Sequence, residues 1–428
     1  MPMNRRQALT VLSGLAAAGL AGCDDEGPLR IAVVWSGWEL NQFRDILKAY
    51  DGPPTVVYSA GDNITALLKN PVASASAPDV AIVPRLELVE DDGIRARLED
   101  LVSTDPLPWQ NLVSQGPGNS IKGAWFKVAH KSRVWCRPGA APKLPIDWGS
   151  WVDECRTRAG RPGPRPLSIG AADGWVLTDW FENVLLGVNA ELYGRLHLPP
   201  QGGWKPGDGW SHDSIKETLT RLAELWSIRG LFPGGGRQAL TTQFHDSILD
   251  VFRYGRADMV AGPDFAWPVI KGYRSPAQER ERVTSFRFPW AAGGKKPPVL
   301  VGGDVVVALT SAKHRGKHFA DWLTGPDVAR TRLTHWIEAG GFLSLNTSAP
   351  PPHPALDELR MELRGDIAFD LSDRLTGGLA GGDGRGLWRV LTELFIAVAA
   401  GSQPPNRKKA VDEAMAMLTA LSGTGRPS

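Results

Sequence analysis

Residues 31–59 read IAVVWSGWELNQFRDILKAYDGPPTVVYS and decide the fold class. An apolar run of strand length opens the stretch, residues with helical spacing follow, and a second apolar run closes it. The alternation continues with a helical segment near 64–69 and a third apolar run over 80–83. Strands that alternate with helices form parallel sheets covered by helices on their faces. The sequence therefore predicts an α/β protein.

A second alternation follows farther along the chain. We expect a long strand over 126–135 and a linker over 138–145. The later segments are predicted as helices over 148–158, 178–186 and 213–229 and strands over 167–171, 259–262, 284–288 and 304–309. Beyond residue 315 the chain is predicted to be mostly helical. The composite is two α/β lobes with a helical C-terminal part.

Length and composition exclude several classes of protein. A chain of 428 residues suggests two to three domains or one large two-lobed unit. With 42% apolar and 22% charged residues it is neither disordered, collagen-like nor a coiled coil. The net charge of +2 corresponds to Arg5 and Arg6, and the body carries no basic cluster. Nucleic-acid binding is therefore not expected.

The first residues are typical of an export signal. Arg5 and Arg6 precede an uncharged stretch over 7–22, which is shorter than the roughly 20 residues of a membrane-spanning helix. Leu-Ala-Gly-Cys, ending at Cys23, resembles a bacterial lipobox, and the Arg pair resembles a twin-arginine signal. We expect a signal peptide over 1–22, a lipid on Cys23 and a tether over 23–28. The mature protein would then stand on the outer face of the cytoplasmic membrane, with its lipid as the only membrane contact.

Two cysteines remain after Cys23. An oxidising compartment permits a disulfide between Cys136 and Cys155, but both lie near Trp residues, as buried thiols often do. Both interpretations stay open. The 8 His show no metal-binding spacing, so we expect neither a metal nor a cofactor.

Candidate binding residues follow from the position of ligands in open α/β sheets, beyond the carboxyl ends of the strands and beside helix N-termini. After the first strand, Trp38 offers a flat apolar face and Glu39 offers two acceptors. The alternative places Trp38 in the core and makes Glu39 a charge at a helix N-terminus. The same rule selects Arg85, Asp173, Trp175, Asp179, Asp264 and Trp267. Gly303 and Asp304, at the start of the predicted strand over 304–309, are a further candidate.

The segment 173–180, DGWVLTDW, combines two Trp with two Asp. A sugar ring presents an apolar C–H face and a rim of hydroxyls, so stacking faces beside acceptors suit it. Thr178 is the expected N-cap of the helix that follows. Trp180 is expected in the core, because the first turn of a helix usually buries one aromatic.

Nine segments resemble the extracytoplasmic solute-binding proteins of family 1, the maltose-binding-protein class, in the family's order. They are the lipobox, WSGWELNQFRDILKAY, APDVAIVP, AWFKVAHKSRVWC, GWVLTDW, FRYGRADMVAGPDFAW, VGGDVVVAL, WIEAGGFLSLN and LWRVLTELFIAVAAG. The resemblance implies a two-lobed periplasmic-binding-protein fold that closes over a carbohydrate and delivers it to an ABC importer. Lobe one would hold 29–132 plus 305–345, and lobe two 138–300 plus 353–425. The hinge crossovers would lie near 132–138, 298–304 and 346–354.

The resemblance also bears on individual residues. Trp388 matches a position where the maltose-binding protein has a sugar-stacking Trp, although a core role is the alternative. Relatives often have Tyr and Asn where this chain has Cys136 and Arg137, and some have an acidic or amide group near His130. The hinge-side hydrogen bonds and the identity of the sugar therefore stay open.

The resulting hypothesis is a monomeric carbohydrate-binding lipoprotein that works with ABC permease subunits and is not an enzyme. One alternative is a glycosidase using carboxylates such as Asp173 and Asp179, but no catalytic signature accompanies them. A second is a lipoprotein that senses its ligand without transport. A third is binding of a glycerophosphodiester, whose phosphate could meet Arg85 and Lys127 unless these are solvated surface charges.

Overall fold

The computed structural model describes residues 27–60, 64–69, 77–84, 92–101, 121–198, 209–273, 283–291, 293–340, 343–344, 349, 353–375, 377–379, 385–401 and 405–423. The strands are β1 (Leu29–Val33), β2 (Thr55–Ser59), β3 (Val80–Val83), β4 (Ala124–His130), β5 (Arg133–Cys136), β6 (Arg165–Ser168), β7 (Ala257–Ala261), β8 (Thr284–Arg287), β9 (Val299–Ala308) and β10 (Ile367–Phe369).

The helices alternate with these strands and then dominate the C-terminal part. They are α1 (Gly37–Leu47), α2 (Ile64–Lys69), α3 (Asp92–Arg95), α4 (Trp148–Ala159), α5 (Gly174–Tyr193), α6 (Asp213–Trp226), α7 (Gly235–Ala239), α8 (Phe244–Phe252), α9 (Trp267–Tyr273), α10 (His314–Thr324), α11 (Pro326–Thr331), α12 (Leu333–Gly340), α13 (Pro354–Glu362), α14 (Gly386–Phe395) and α15 (Arg407–Gly423). A π-helical turn, Ile396–Ala400, extends α14. This order confirms the predicted α/β class with a helical C-terminal part.

The first sheet has the strand order β10-β9-β3-β1-β2, and β4 pairs with β9. β1 lies parallel to β2 and β3, as the opening alternation predicts, whereas β9 runs antiparallel to β3 and β4. Apolar side chains from α1, α10 and α12 share one core with these strands, among them Phe43, Phe319 and Trp336, all at most 1% exposed.

The second sheet has the order β6-β7-β5-β8. Its core includes a stack of indoles, in which Trp151 lies 5.7 Å from Trp180 and Trp180 lies 6.4 Å from Trp226 between ring centroids. Trp180 is 2% exposed, so its predicted core position is confirmed. Helix α6 buries Ile215, Leu219, Leu222 and Trp226 along one face, as its apolar spacing predicts.

The predicted long strand over 126–135 is wrong, because the chain changes sheets within it. β4 belongs to the first sheet and β5 to the second. At the break, the Lys131 N–H donates to the carbonyl of Leu300 at 2.8 Å, and the Leu300 N–H donates to the Ser132 hydroxyl at 2.8 Å. These bonds hold the crossing segment against β9.

Two further differences concern element ends. Helix α5 begins at Gly174 rather than after Thr178, whose hydroxyl donates to the Trp175 carbonyl at 2.7 Å within the helix. β9 begins at Val299 and pairs there with β10. The first residues of β9 and all of β10 fall in ranges that were predicted for lobe two, but both strands belong to the first sheet. The lobe boundaries themselves remain a prediction.

Cys136 and Cys155 are both buried free thiols, so the disulfide that was left open is not formed. Burial raises the pKa of each thiol above its usual range. Within the described ranges, helices that combine enough length with enough apolar character to cross a bilayer are absent.

Candidate ligand-binding site

A charged cluster lies where the chain passes from the first sheet to the second. The Lys131 ammonium donates to Asp179 Oδ1 at 3.2 Å and to Asp370 Oδ2, and it lies 5.9 Å from the ring centroid of Trp175. Asp179 and Trp175 come from α5, and Asp370 follows β10. Burial disfavours the ammonium, but Asp179 and Asp370 outweigh it and raise the pKa of Lys131 well above its usual value.

Asp179 carries an acceptor atom that the described residues leave unused. Asp179 is only 6% exposed, and its Oδ2 accepts no hydrogen bond from the part of the chain that the structure describes. Burial raises the pKa of Asp179 to about 7, while Lys131 lowers it and Asp370 raises it further. Asp179 lines a narrow pocket together with Lys131, Trp175, Val176, Trp180, Asn183, Ala261, Gly262 and Phe288.

Aromatic rings form one wall beside this pocket. Trp175 is half-buried and contacts Phe244 and Phe265, with centroids 4.9 and 5.9 Å away. Phe265 is 36% exposed. Trp388 packs against Gly174, so that a Cβ at this glycine would lie 2.8 Å from Trp388 Cε3. The structure thus places Trp175 and Trp388, two of the predicted ligand-binding residues, at the N-terminal end of α5.

Asp173 connects the N-terminal ends of α5 and α8. It immediately precedes α5, and its Oδ2 accepts from the backbone N–H of Phe244, the first residue of α8, at 2.7 Å. This carboxylate therefore supplies negative charge to the N-terminal ends of both helices. Its position makes it a structural support of the aromatic wall as well as a candidate acceptor.

A second charged cluster belongs to the first sheet. Lys127 donates to Glu39 Oε1 at 2.7 Å and lies 3.2 Å from Asp304 Oδ2. Its ammonium also lies 4.6 and 5.1 Å from the ring centroids of Trp35 and Trp336. Burial disfavours its charge, but Asp304 and Glu39 prevail and raise the pKa of Lys127.

Backbone geometry explains the position of Asp304. Gly303 has a φ of +153° and faces Val128 in the β4–β9 ladder, where a Cβ would collide with the Lys127 carbonyl. Because glycine allows this close approach, Lys127 and Asp304 pair directly across the two strands. Gly303 thus supports the cluster through its backbone.

Asp264 and Trp267 lie in the interior. Asp264 is fully buried, and its Oδ1 accepts from the His130 N–H at 2.8 Å, which links the end of β7 to β4. Burial raises the pKa of Asp264 well above its usual value, although the His130 N–H lowers it. Trp267 is 4% exposed and packs against Trp135 and His353. The structure therefore does not bring this pair to the surface beside Trp175.

Several candidates lie outside the described residues, namely Cys23, Arg85 and the side chain of Trp38. Among the residues that the structure does describe, no group of three or more His, Cys, Asp or Glu side chains is placed to hold a metal ion.

A buried ionic network joins the crossing segment to α13. Glu362 Oε2 accepts from His130 Nε2 at 2.8 Å and from Arg133 Nη1 at 3.4 Å, and it lies 3.6 Å from Arg287 Nη1. Burial lowers the pKa of His130 to about 4 despite the opposing carboxylate. Burial opposes the charge of Glu362, but His130 and Arg287 overcome it and lower its pKa to about 2.

The sequence-based candidates did not include Lys131, Asp370, Phe265 or Glu362. Phe265 could have been found, because it follows β7 by four residues, at the carboxyl end where ligands gather. Lys131 was hidden by the apparent continuity of the strand. Asp370 and Glu362 offered no local signal, since each meets its partner across more than 200 residues of sequence.

No protein-family model matches this chain. The osmoprotective compounds-binding protein GgtB of Synechocystis sp. is 26% identical, and the match covers 93% of this chain and 96% of that protein. The alpha-glucosides-binding periplasmic protein AglE of Rhizobium meliloti is 24% identical over 51% of each chain. The structure of the solute-binding protein RafE of Streptococcus pneumoniae, in complex with raffinose, superposes with a TM-score of 0.69 at 13% identity, covering 92% of this chain and 100% of RafE.

These relations test the predicted fold and resemblance. The solved structure shares the two-lobed α/β architecture over its full length, and the Synechocystis relative matches over most of both chains. Fold and sequence together confirm that this chain resembles the extracytoplasmic solute-binding proteins of family 1.

Proposed function

We propose that this protein is a lipid-anchored extracytoplasmic solute-binding protein that captures a carbohydrate between two lobes and delivers it to an ABC importer. The observation that carries the proposal is the unpartnered Oδ2 of Asp179, buried beside the half-exposed indole of Trp175. A buried acceptor without a donor is costly, and a ligand hydroxyl would satisfy it.

The aromatic wall supports a ligand with an apolar face. Trp175, Phe265 and Trp388 offer ring surface within one region, and a pyranose presents the C–H face that packs on such rings. The names of the relatives agree with this chemistry, since AglE is named for alpha-glucosides, GgtB for osmoprotective compounds, and RafE was solved with raffinose.

The partners of Asp173 and Asp179 favour binding over hydrolysis. Asp173 accepts from the Phe244 N–H and so has a positioning role, whereas Asp179 pairs with Lys131 through Oδ1 and leaves Oδ2 to accept from a ligand. A general acid and a nucleophile of a glycosidase would instead flank an open scissile bond. We therefore propose a binding protein rather than an enzyme.

The placement in the cell is part of the same proposal. Cys23 would carry the lipid, the tether 23–28 would hold the body at the outer face of the cytoplasmic membrane, and the protein would act as a monomer. Lobe one would comprise 29–132 plus 305–345 and lobe two 138–300 plus 353–425. The lobes would close around the crossing segment at 131–132, where the chain changes sheets.

Calorimetric titration tests the carbohydrate assignment. Raffinose, maltotriose and glucosylglycerol serve as probes for the wild type, Trp175→Ala and Trp388→Ala. We expect at least one probe to bind the wild type and each variant to bind it about tenfold or more weakly, which corresponds to about 1.4 kcal/mol. Their melting temperatures should stay within a few degrees of the wild type.

Trp226→Ala is the matched control, because Trp226 is 1% exposed within the core. Its loss should lower stability strongly, by about 3 to 5 kcal/mol, and leave affinity unchanged in the molecules that fold. Wild-type affinity in both Trp175→Ala and Trp388→Ala would remove these indoles from the site.

A further inference from the structure

We propose that the site selects uncharged glycosides and rejects anionic ligands, because Lys131 at the site and Lys127, four residues earlier on β4, are each already held by two carboxylates. The inference rests on the proposed function for the location of the site. Beyond the proposed function, it specifies that the ligand carries no charge. Sugar phosphates, uronic acids and glycerophosphodiesters are thereby excluded.

The first lysine is Lys131. Asp179 and Asp370 both contact its ammonium, and the Trp175 ring lies nearby. The side chains of Lys131, Asp179 and Asp370 are 13%, 8% and 1% exposed. The positive charge of Lys131 is therefore already neutralised by protein carboxylates, and the cluster carries more negative than positive charge.

The second lysine, Lys127, is held in the same way from the first sheet. Glu39 and Asp304 contact its ammonium, and the rings of Trp35 and Trp336 lie against it. Its side chain is 11% exposed, so an incoming phosphate would have to displace a carboxylate to reach it. Displacement of Asp304, whose side chain is 10% exposed, would leave a carboxylate without its cation in a poorly solvated place, which is strongly unfavourable.

The N-termini of α5 and α8, which lie beside the aromatic wall, offer no replacement for these lysines. Anions often bind at such ends, where free N–H groups and the helix dipole attract them. Here Asp173 accepts from the first N–H of α8 and immediately precedes α5, so its negative charge lies at both ends although its side chain caps only α8. An anionic ligand would meet negative charge at the two helix starts and at both lysine clusters.

Paired probes of different charge test the selection. We would titrate the wild type with raffinose, maltotriose and glucosylglycerol, and with glucuronic acid, glucose 6-phosphate and glycerophosphoglycerol, at pH 7.5 and constant ionic strength. We expect the best neutral probe to bind at least a hundredfold more tightly than any anionic probe. An anionic probe within tenfold of the best neutral one would overturn the inference while leaving a binding function in place.

If no probe of either charge binds, the proposed carbohydrate function fails and the inference falls with it. If neutral probes bind and anionic ones do not, both stand. Failure of the proposed function therefore leaves the whole panel unbound, whereas failure of the inference alone shows as tight binding of an anionic probe.

Variants test the cause of the selection. Glu39→Gln and Asp304→Asn each remove one of the two carboxylates on Lys127, and we expect either variant to bind the anionic probes at least fivefold better than the wild type does. Glu39 is 43% exposed, so its variant should fold even if the buried Asp304→Asn does not. Asp357→Asn on the exposed side of α13 makes the same charge change away from the site and should leave anionic binding unchanged. No gain in a folded Glu39→Gln variant, or an equal gain in Asp357→Asn, would contradict the proposed cause.

Discussion

The indole of Trp388 rests on the backbone of Gly174, the first residue of α5. A Cβ added at position 174 would lie 2.8 Å from Cε3 and 2.9 Å from Cδ2 of that ring, closer than real Cβ atoms approach. Because Gly174 has no side chain, the Trp388 ring of α14 can lie directly against the start of α5.

Gly174→Ala should weaken carbohydrate binding by forcing Trp388 away from this position. We expect an affinity loss of about tenfold for the best neutral probe, with a small change in melting temperature because alanine favours helices over glycine by about 1 kcal/mol. Gly149→Ala near the start of α4 is the control, since its Cβ would meet its nearest neighbour at an ordinary 3.4 Å. Unchanged affinity in Gly174→Ala, measured by calorimetry, would separate Trp388 from ligand binding.

Asp179 should give binding and stability a pH dependence that Asp179→Asn lacks. Because burial raises its pKa from 3.8 to about 7 in the fold, with Lys131 opposing and Asp370 adding, the folded state holds a proton that the unfolded chain releases. Its contribution to folding is therefore present below about pH 4 and is lost as the pH rises to 7. Since ligand hydroxyls donate to the ionised form, affinity should rise up to about pH 7 and then level off.

The comparison for this prediction is between wild type and Asp179→Asn, by denaturant unfolding and calorimetric titration from pH 4 to 9. The variant should lose this part of both pH dependences. Superimposable pH profiles of wild type and variant would show that Asp179 does not titrate in this range.

Glu362→Gln should destabilise the protein by roughly 3 to 5 kcal/mol, because it removes this carboxylate from the buried Arg287 and leaves Arg133 with only the exposed Glu358. Arg133 is 1% exposed, so solvent cannot replace the lost partner. Asp357→Asn lies on the same helix and is half-exposed in a pair with Arg360, so its change in unfolding free energy should stay within about 0.5 kcal/mol. Equal unfolding free energies for the two variants would refute a structural role for the network.

Cys23→Ser should release the protein from membranes or leave it unprocessed, since the apolar stretch before it is too short to span a bilayer. Fractionation and mass spectrometry measure both outcomes. A variant that stays with membranes at the mature mass would argue against the lipid anchor.

Saturation with a neutral probe that binds should lower the radius of gyration in small-angle scattering. The expected cause is rotation of the lobes about the segment at 131–132, as in other two-lobed binding proteins that close around ligands. The Trp175→Ala variant, at the same probe concentration, should respond less. A scattering profile that does not change with a bound probe would count against closure.

Local patterns in the sequence predicted the parts of the fold that depend on neighbouring residues. The alternation over 31–83 gave the parallel strands β1, β2 and β3, and the apolar face of α6 gave its buried side. The carboxyl-end rule also led to Glu39 and Asp179, which have charged partners in the structure, as does the candidate Asp304.

The remainder depends on contacts between distant segments. Lys131 and Asp370 are 239 residues apart, and His130 and Glu362 are 232 apart, so no spacing in the sequence connects them. The split between β4 and β5 was missed for a related reason. Only Lys131 and Ser132 separate the two strands, and nothing in the local sequence marks the place where the chain passes from one sheet to the other.

The position of β9 in the chain constrains the order of folding during synthesis. It supplies the strand that separates β3 from β10 and pairs with β4, yet its residues, Val299–Ala308, follow the entire second sheet. Until they emerge, β3 keeps an open edge and β4 lacks its strand partner, and such edges promote aggregation. The first sheet can therefore be completed only after the segments of the second sheet have left the ribosome.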